Sequence, residues 1–227
     1  MQMMITCISQ LLDTPTLGKV QALAEAARFE DGRASAGWHA RTVKANHQAE
    51  RHDPATREAA ALVAAALRGN AVFAAAVRPR HLRTPLLARY GVGEAYGTHV
   101  DDALMAGPDG PLRTDVAVTV FLAAPDSYGG GELAIEDGAG EQAFKLGAGD
   151  AIAYPATTLH RVAEVTSGER LVAVTWVQSL VRDPARREIL FDLETAKRQV
   201  FAQQGKGEAF DLLAKSHANL LRQWMEP

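Results

Sequence analysis

Residues 170–179, Arg170-Leu171-Val172-Ala173-Val174-Thr175-Trp176-Val177-Gln178-Ser179, read as a β-strand with two unlike faces. Side chains alternate along extended backbone, so Arg170, Val172, Val174, Trp176 and Gln178 share one face, and Leu171, Ala173, Thr175 and Val177 share the other. A guanidinium among valines and a tryptophan is a charge carried toward a core, where it needs a partner. Runs of the same alternating kind precede it at Leu82 to Tyr90, Ala95 to Val100, Asp115 to Leu122, Glu132 to Glu136, Gln142 to Leu146, Ala151 to Tyr154 and Arg161 to Glu164. Between them stand turn clusters such as Gly107-Pro108-Asp109-Gly110, Gly129-Gly130-Gly131, Asp137-Gly138, Gly147-Ala148-Gly149-Asp150 and Ser167-Gly168. Eight short strands punctuated in this way predict an antiparallel double-sheet jelly roll over residues 81–180.

The flanks have the helical period instead. Thr14-Pro15 supplies a cap and a first-turn proline, followed by Leu17, Val20, Leu23, Ala24 and Ala27 at helical spacing. A weakly alternating stretch, Trp38 to Gln48, reads as a strand. Asp53-Pro54 opens a second helix to Arg68, stopped at Gly69, and a shorter one follows from Ala71 to Val77. After the β region, Asp183-Pro184 repeats the capping pattern; helix continues to about Gln204, breaks at 205–207 and resumes to Trp224. The expected class is therefore α+β: an N-terminal helical region packed on the core (1–80), a jelly-roll core (81–180) and a C-terminal helical extension (181–227).

Of 227 residues, 47% are apolar and 22% charged, which suits a chain able to bury a sizeable core. A net charge of −3 leaves no surplus of Lys and Arg, so neither nucleic acid nor an anionic membrane is the expected partner, and a small diffusible ligand fits better. Cys7, the single cysteine, excludes an intrachain disulfide and a CxxC zinc or redox pair. Met1 to Leu12 has no basic residue ahead of its apolar part and no small-residue cleavage site, and Ala59 to Val77 is interrupted by Arg68, Gly69 and Asn70. A cytoplasmic location follows as the expectation.

Chemistry concentrates in three places. Tyr96-Gly97-Thr98-His99-Val100-Asp101 ends a predicted strand, and side chains two residues apart leave one face, so His99 and Asp101 can grip a single ion. An imidazole, a carboxylate and a distant third ligand make the facial triad with open positions associated with non-haem Fe(II). His160, in Thr157-Thr158-Leu159-His160-Arg161-Val162, is the third candidate. Alone, a His-x-Asp triplet is more often surface or capping chemistry, and a lone histidine before an apolar strand more often just hydrogen-bonds a neighbour. Arg170 changes the balance: on an antiparallel neighbour of the His160 strand, its planar fork suits the distal carboxylate of a 2-oxo diacid. Tyr90 and Tyr96 are candidates for hydrogen bonds to that diacid or to substrate, although a tyrosine in a strand is more often a packing residue. Asp102 should leave the opposite face. His39, His47, His52, His81 and His217 lack a carboxylate at chelating spacing and read as structural. Gly129-Gly130-Gly131 precedes a strand and no Gly-Lys-Ser/Thr follows, so it reads as a tight turn and not a phosphate loop.

The ordered set Arg89-Tyr90-Gly91-Val92-Gly93-Glu94-Ala95-Tyr96, His99-x-Asp101, Gly129-Gly130-Gly131-Glu132-Leu133, Gly149-Asp150, Leu159-His160-Arg161-Val162 and Gly168-Glu169-Arg170 resembles the bacterial PKHD-type hydroxylases, relatives of the prolyl 4-hydroxylase catalytic domain. The resemblance spans nearly the whole chain. It implies a double-stranded β-helix, Fe(II) on His99, Asp101 and His160, 2-oxoglutarate held by Arg170, O2 as cosubstrate, and L-ascorbate as a supporting reductant. The implied reaction couples oxidative decarboxylation of 2-oxoglutarate to oxidation of a substrate C–H bond. Animal prolyl 4-hydroxylases carry a lysine where Arg170 stands, which leaves the reaction class intact and weakens transfer of a collagen-type substrate. The substrate is then a small molecule or a protein side chain, and the C-terminal helices offer a homodimer contact. The competing reading is a cupin-like metal-dependent sensor or ligand-binding protein without catalysis, which has no need of Arg170.

Overall fold

The computed structural model describes residues 4–35, 37–107, 110–138 and 140–226, so Pro108 and Asp109 of the expected turn lie outside it. Two antiparallel sheets face each other. The larger runs, in spatial order, β1 (Thr6–Ile8), β14 (Ala151–Pro155), β10 (Val116–Phe121), β17 (Arg170–Ser179), β6 (Leu86–Tyr90), β4 (His47–Ala49) and β2 (Phe29–Asp31), with β5 (Pro79–Leu82) on the far end of β17. The smaller runs β13 (Gly140–Phe144), β12 (Leu133–Asp137), β15 (His160–Val162), β7 (Ala95–His99) and β3 (Lys44–Ala45). Two short ladders complete it, β11 (Tyr128–Gly130) with β16 (Val165–Gly168) and β8 (Leu104–Gly107) with β9 (Gly110–Arg113).

The strand alternation divides the core as the pattern dictates. On β10, Val118 and Val120 face the helices, whereas Ala117 and Phe121 face the second sheet. The outer layer is α1 (Thr14–Ala26), α2 (Pro54–Gly69) and α3 (Ala71–Val77), which bury Val20, Ala24, Val63, Leu67 and Phe73 against Ala151, Ala153, Ala173 and Val177. Phe73 is fully buried, so truncating it to alanine costs about 3–5 kcal/mol. Aspartates start several of the helices: Asp53 accepts from the amides of Ala55 and Thr56 to start α2, and Asp183 accepts from those of Ala185 and Arg186 to start the helix that follows the β region. In α1 the cap is Asp13, one residue before the expected Thr14, because its carboxylate reaches the Thr16 amide. Asn70 both ends α2 and caps α3.

α4 (Pro184–Gln204) and α5 (Glu208–Trp224) pair with each other through Glu194, which binds Lys197 and Arg198 and stands 3.7 Å from His217 of α5. Among the described residues, no single helix is long and apolar enough to cross a membrane; α2 and α3 pass that test only as a pair bent by 77°, and their apolar face is covered by the large sheet.

Several expectations are corrected. Trp38 to Gln48 is not one strand but a 3-10 turn (Ala40–Val43) and the short strands β3 and β4, and residues 1–80 supply four strands as well as helices. The glycine triplet lies within and just after β11, which slips its register against β16 between Gly129 and Gly130. Gly130 and Gly131 have φ near +65° and +69°, a backbone region that side chains with a Cβ disfavour. Most importantly, β17 does not neighbour the His160 strand. It pairs with β10, β6 and β5, so Arg170 reaches the interior from the opposite sheet.

Candidate metal centre

β7 and β15 are adjacent and in register at His99↔His160, the last residue of one strand against the first of the other. Their ring centroids are 4.3 Å apart. His99 Nδ1 lies 2.8 Å from the Gly97 carbonyl and His160 Nδ1 lies 3.1 Å from that of Thr158. A carbonyl oxygen only accepts, so each Nδ1 carries the proton and each Nε2 presents a lone pair, the tautomer a metal ligand requires. Asp101 stands just beyond the end of β7, with Oδ1 3.9 Å from His160 Nε2. One ligand atom from each of the three residues lies within 4.8 Å of the others, the only such cluster of ligating side chains found among the described residues.

The electrostatics match the chemistry of a cation. His99 is 8% and His160 5% exposed. Burial first, then His160 beside it, lowers the His99 imidazole to about 3, so it is neutral at physiological pH. Burial raises the Asp101 carboxyl, with His160 pulling the other way. Asp101 Oδ2 is buried without a hydrogen-bond partner, and a buried carboxylate oxygen left so is costly unless a cation completes it. The neutral His99 imidazole, the His160 ring and this carboxylate therefore fit a divalent first-row metal such as Fe(II).

The triad opens into a cavity of about 290 Å³ lined by both sheets. The ring of Tyr96 stacks on His99 at 3.6 Å, and Tyr154 meets His160 edge-on at 5.2 Å. Arg170, 1% exposed, also lines it. Its guanidinium lies 5.0 Å from the Tyr90 ring and 5.8 Å from that of Phe121, and its Nε has no hydrogen-bond partner. A Cβ on Gly131 would come 3.0 Å from Arg170 Cδ, so the glycine keeps the arginine's path clear. Burial raises both Tyr90 and Tyr96, keeping their hydroxyls protonated as hydrogen-bond donors.

All six sequence-chosen residues, His99, Asp101, His160, Arg170, Tyr90 and Tyr96, line this one cavity. Asp102, expected on the far side, lines it too, because strand alternation stops at His99. The five other histidines do not; His47 pairs with Glu94 at 3.0 Å and His217 lies 2.8 Å from Arg78. Sequence reasoning missed Lys44, Asn46, Gln48, Arg51 and Arg83 on the wall. Lys44 and Gln48 lie in strands of two and three residues, and Asn46, Arg51 and Arg83 lie just outside such short strands, too short for a period to register.

Residues 85–178 match the model of the 2OG-Fe(II) oxygenase superfamily. A PKHD-type hydroxylase of Synechococcus sp. (strain JA-2-3B'a(2-13)) is 49% identical over 98% of this chain and 100% of its own length. One of Picosynechococcus sp. (strain ATCC 27264) is 51% identical over 96% of this chain and 98% of its own. Among solved structures, the fold is similar to a viral collagen prolyl hydroxylase of Paramecium bursaria Chlorella virus-1 in complex with 2OG (TM-score 0.54, 20% identity, 77% of this chain and 96% of that one). It is also similar to a Trichoplax adhaerens prolyl hydroxylase in complex with a hypoxia-inducible-factor peptide fragment (TM-score 0.55, 14% identity, 82% and 86%).

Proposed function

Since this chain belongs to the PKHD-type hydroxylases of the 2OG-Fe(II) oxygenase superfamily, we propose that His99, Asp101 and His160 hold its Fe(II) and that Arg170 takes the distal carboxylate of 2-oxoglutarate. The protein is an Fe(II)- and 2-oxoglutarate-dependent dioxygenase that uses O2. The observation that carries the residue assignment is the meeting, in one cavity, of a triad with an orphaned carboxylate oxygen and a fully buried arginine without an acid partner. A sensor or carrier that performs no oxidation would not need that arginine, and the hydroxylase relatives disfavour it.

When bound, Fe(II) supplies the activation of O2 that couples decarboxylation of 2-oxoglutarate to succinate and CO2 with oxidation of a substrate C–H bond. The residues supply position. The carbonyls of Gly97 and Thr158 fix both imidazoles in the ligating tautomer. Arg170 orients the cosubstrate by a charge-assisted fork in a site from which water is largely excluded. Tyr90 and Tyr96 donate hydrogen bonds to the cosubstrate or substrate and wall the site. The substrate presents a small molecule or a protein side chain to the cavity mouth, ascorbate serves as supporting reductant, and the protein works in the cytoplasm.

The experiment is a paired one. His99→Ala and Asp101→Ala should each abolish stoichiometric Mn(II) binding and 2-oxoglutarate-dependent succinate formation while circular dichroism stays that of the wild type. Undiminished succinate formation in either variant refutes the assignment.

A further inference from the structure

Among the described residues, Arg170 is one of two arginines of the cavity wall that are at least half-buried and have no ion pair with an acid. Arg83 is the other. Its amide donates to the Trp176 carbonyl, placing it at the opposite end of β17 from Arg170. Six residues of strand separate the two positions by about 20 Å. The Arg83 guanidinium stands 5.3 Å from the Trp176 ring, and its Nη1 donates only to the Met105 thioether, at 3.3 Å. It forms no ion pair among the described residues, whereas Arg113 binds Asp115 and Glu226, Arg161 binds Glu141, and Arg187 binds the carbonyls of Val181 and Arg182. A thioether and a ring face are poor compensation for a guanidinium so far withdrawn from water.

Arg51 lines the same cavity. Burial, followed by the like charge of Arg51, lowers the Arg83 pKa, so the two cations lie near enough to repel one another. Across the whole wall, leaving Lys44 aside, Arg51, Arg83 and Arg170 stand against Asp101 and Asp102. A divalent metal and a dianionic cosubstrate cancel one another. The remaining excess is positive, within a chain whose overall charge is −3.

We infer that the primary substrate is an oxyanion, a carboxylate or phosphate ester, whose charged group binds Arg83 with Arg51 beside it, at the end of the cavity remote from Arg170. The inference rests on the oxygenase reading of the site and adds the substrate's charge to it. Trp176 serves as the platform: it holds the Arg83 plane on one side, and its indole N–H, buried without a completed hydrogen bond, faces Asp101. The two arginines thereby divide the labour, one taking the cosubstrate's carboxylate and the other the substrate's, so that neither acid occupies the other's seat.

The test uses the full chain loaded with Mn(II) and saturating 2-oxoglutarate, which does not turn over, and follows tryptophan fluorescence and melting temperature. The probes are matched pairs: acetate and acetamide, benzoate and benzamide, hippurate and hippuramide, phenyl phosphate and phenol. At least one anion should bind saturably while its neutral partner does not, and the acid and phosphate arms tell the two oxyanions apart. Arg83→Gln should weaken that binding at least tenfold, and Arg83→Lys, which keeps the charge but loses the fork, should fall between. Unchanged affinity of Arg83→Gln for 2-oxoglutarate shows that its fold is intact. Equal binding of the neutral partners, equal binding by Arg83→Gln, or no binding by any anion overturns the inference. Failure of the wild type to take up Mn(II) and 2-oxoglutarate at all would instead strike the oxygenase assignment of the site.

Discussion

Arg170→Met separates two effects that a buried, unpaired cation should have of opposite sign. Arg170 is 1% exposed, its Nε has no partner, and its compensation is the faces of Tyr90 and Phe121. Removing one member of a buried charge pair costs about 2–5 kcal/mol, so the dissociation constant for 2-oxoglutarate should rise roughly 30-fold to several-thousand-fold. Without cosubstrate the balance inverts. Replacing a buried charge by an apolar side chain of similar volume is neutral to stabilising by about 1–4 kcal/mol, against which stands a cation–π loss of about 0.5–2 kcal/mol. These net to about −2 to +3.5 kcal/mol, which at about 2–4 °C per kcal/mol for a chain of this size puts the metal-loaded variant without 2-oxoglutarate between roughly 8 °C below and roughly 14 °C above the wild type. Cosubstrate at a hundred times the wild-type dissociation constant should then add about 2.7 kcal/mol to the wild type and between about 0.9 kcal/mol and nothing to the variant, so the wild type should gain roughly 4–10 °C on the variant. Differential scanning fluorimetry with Mn(II), with and without 2-oxoglutarate, reads both. A variant that melts well below the wild type without cosubstrate, yet gains as much from it, would refute the reasoning.

Three further outcomes follow from the same site. In the metal-free protein, the depressed His99 imidazole, at about 3, stays neutral while the unfolded chain takes up a proton below about 6.5; stability is therefore lost as pH falls from 6.5 toward 3, and His99→Gln should flatten that limb of a melting-temperature profile in EDTA. Asp101→Asn removes a buried carboxylate whose oxygen lacks a partner, so the metal-free variant should melt higher than wild type at pH 7 while Mn(II) binding is lost in calorimetry. Gly131→Ala crowds Arg170 Cδ and should weaken 2-oxoglutarate binding in a protein that still folds, whereas Gly130→Ala sets a Cβ 2.0 Å from the Glu164 carbonyl oxygen and should sharply lower expression and melting temperature together.

The sequence made the site more legible than the connections between its strands. His99, Asp101, His160 and Arg170 could be chosen because their side chains differ in kind from what surrounds them in β-patterned runs. Long strands announced themselves: β17 spans Arg170–Ser179 as its alternation predicts, and β7 and β10 fall within a residue of expectation. Pairing partners did not, since alternation fixes which face a side chain leaves and says nothing of which strand lies alongside. Arg170 was therefore expected beside His160 in one sheet and arrives from the sheet opposite. The short strands β2, β3 and β4, of two or three residues, hold their place by pairing, β2 on β4, β4 on β6 and β3 on β7, so the wall residues Lys44, Asn46 and Gln48 carried no local signal. Arg83 escaped notice for a related reason: it sits just after β5, and only the fold brings Trp176 beneath it.

The seam between β15 and β7 is short, two register pairs with a slip between them, and one of those pairs is His160 with His99. An ion gripped by both rings would act as a rivet through that seam, joining backbone segments that otherwise share little. Chelation would then do more than silence the enzyme. It would unfasten the smaller sheet at its midpoint, and amide exchange at 160–162 should quicken on treatment with EDTA while the long ladder of β10 and β17 keeps its protection.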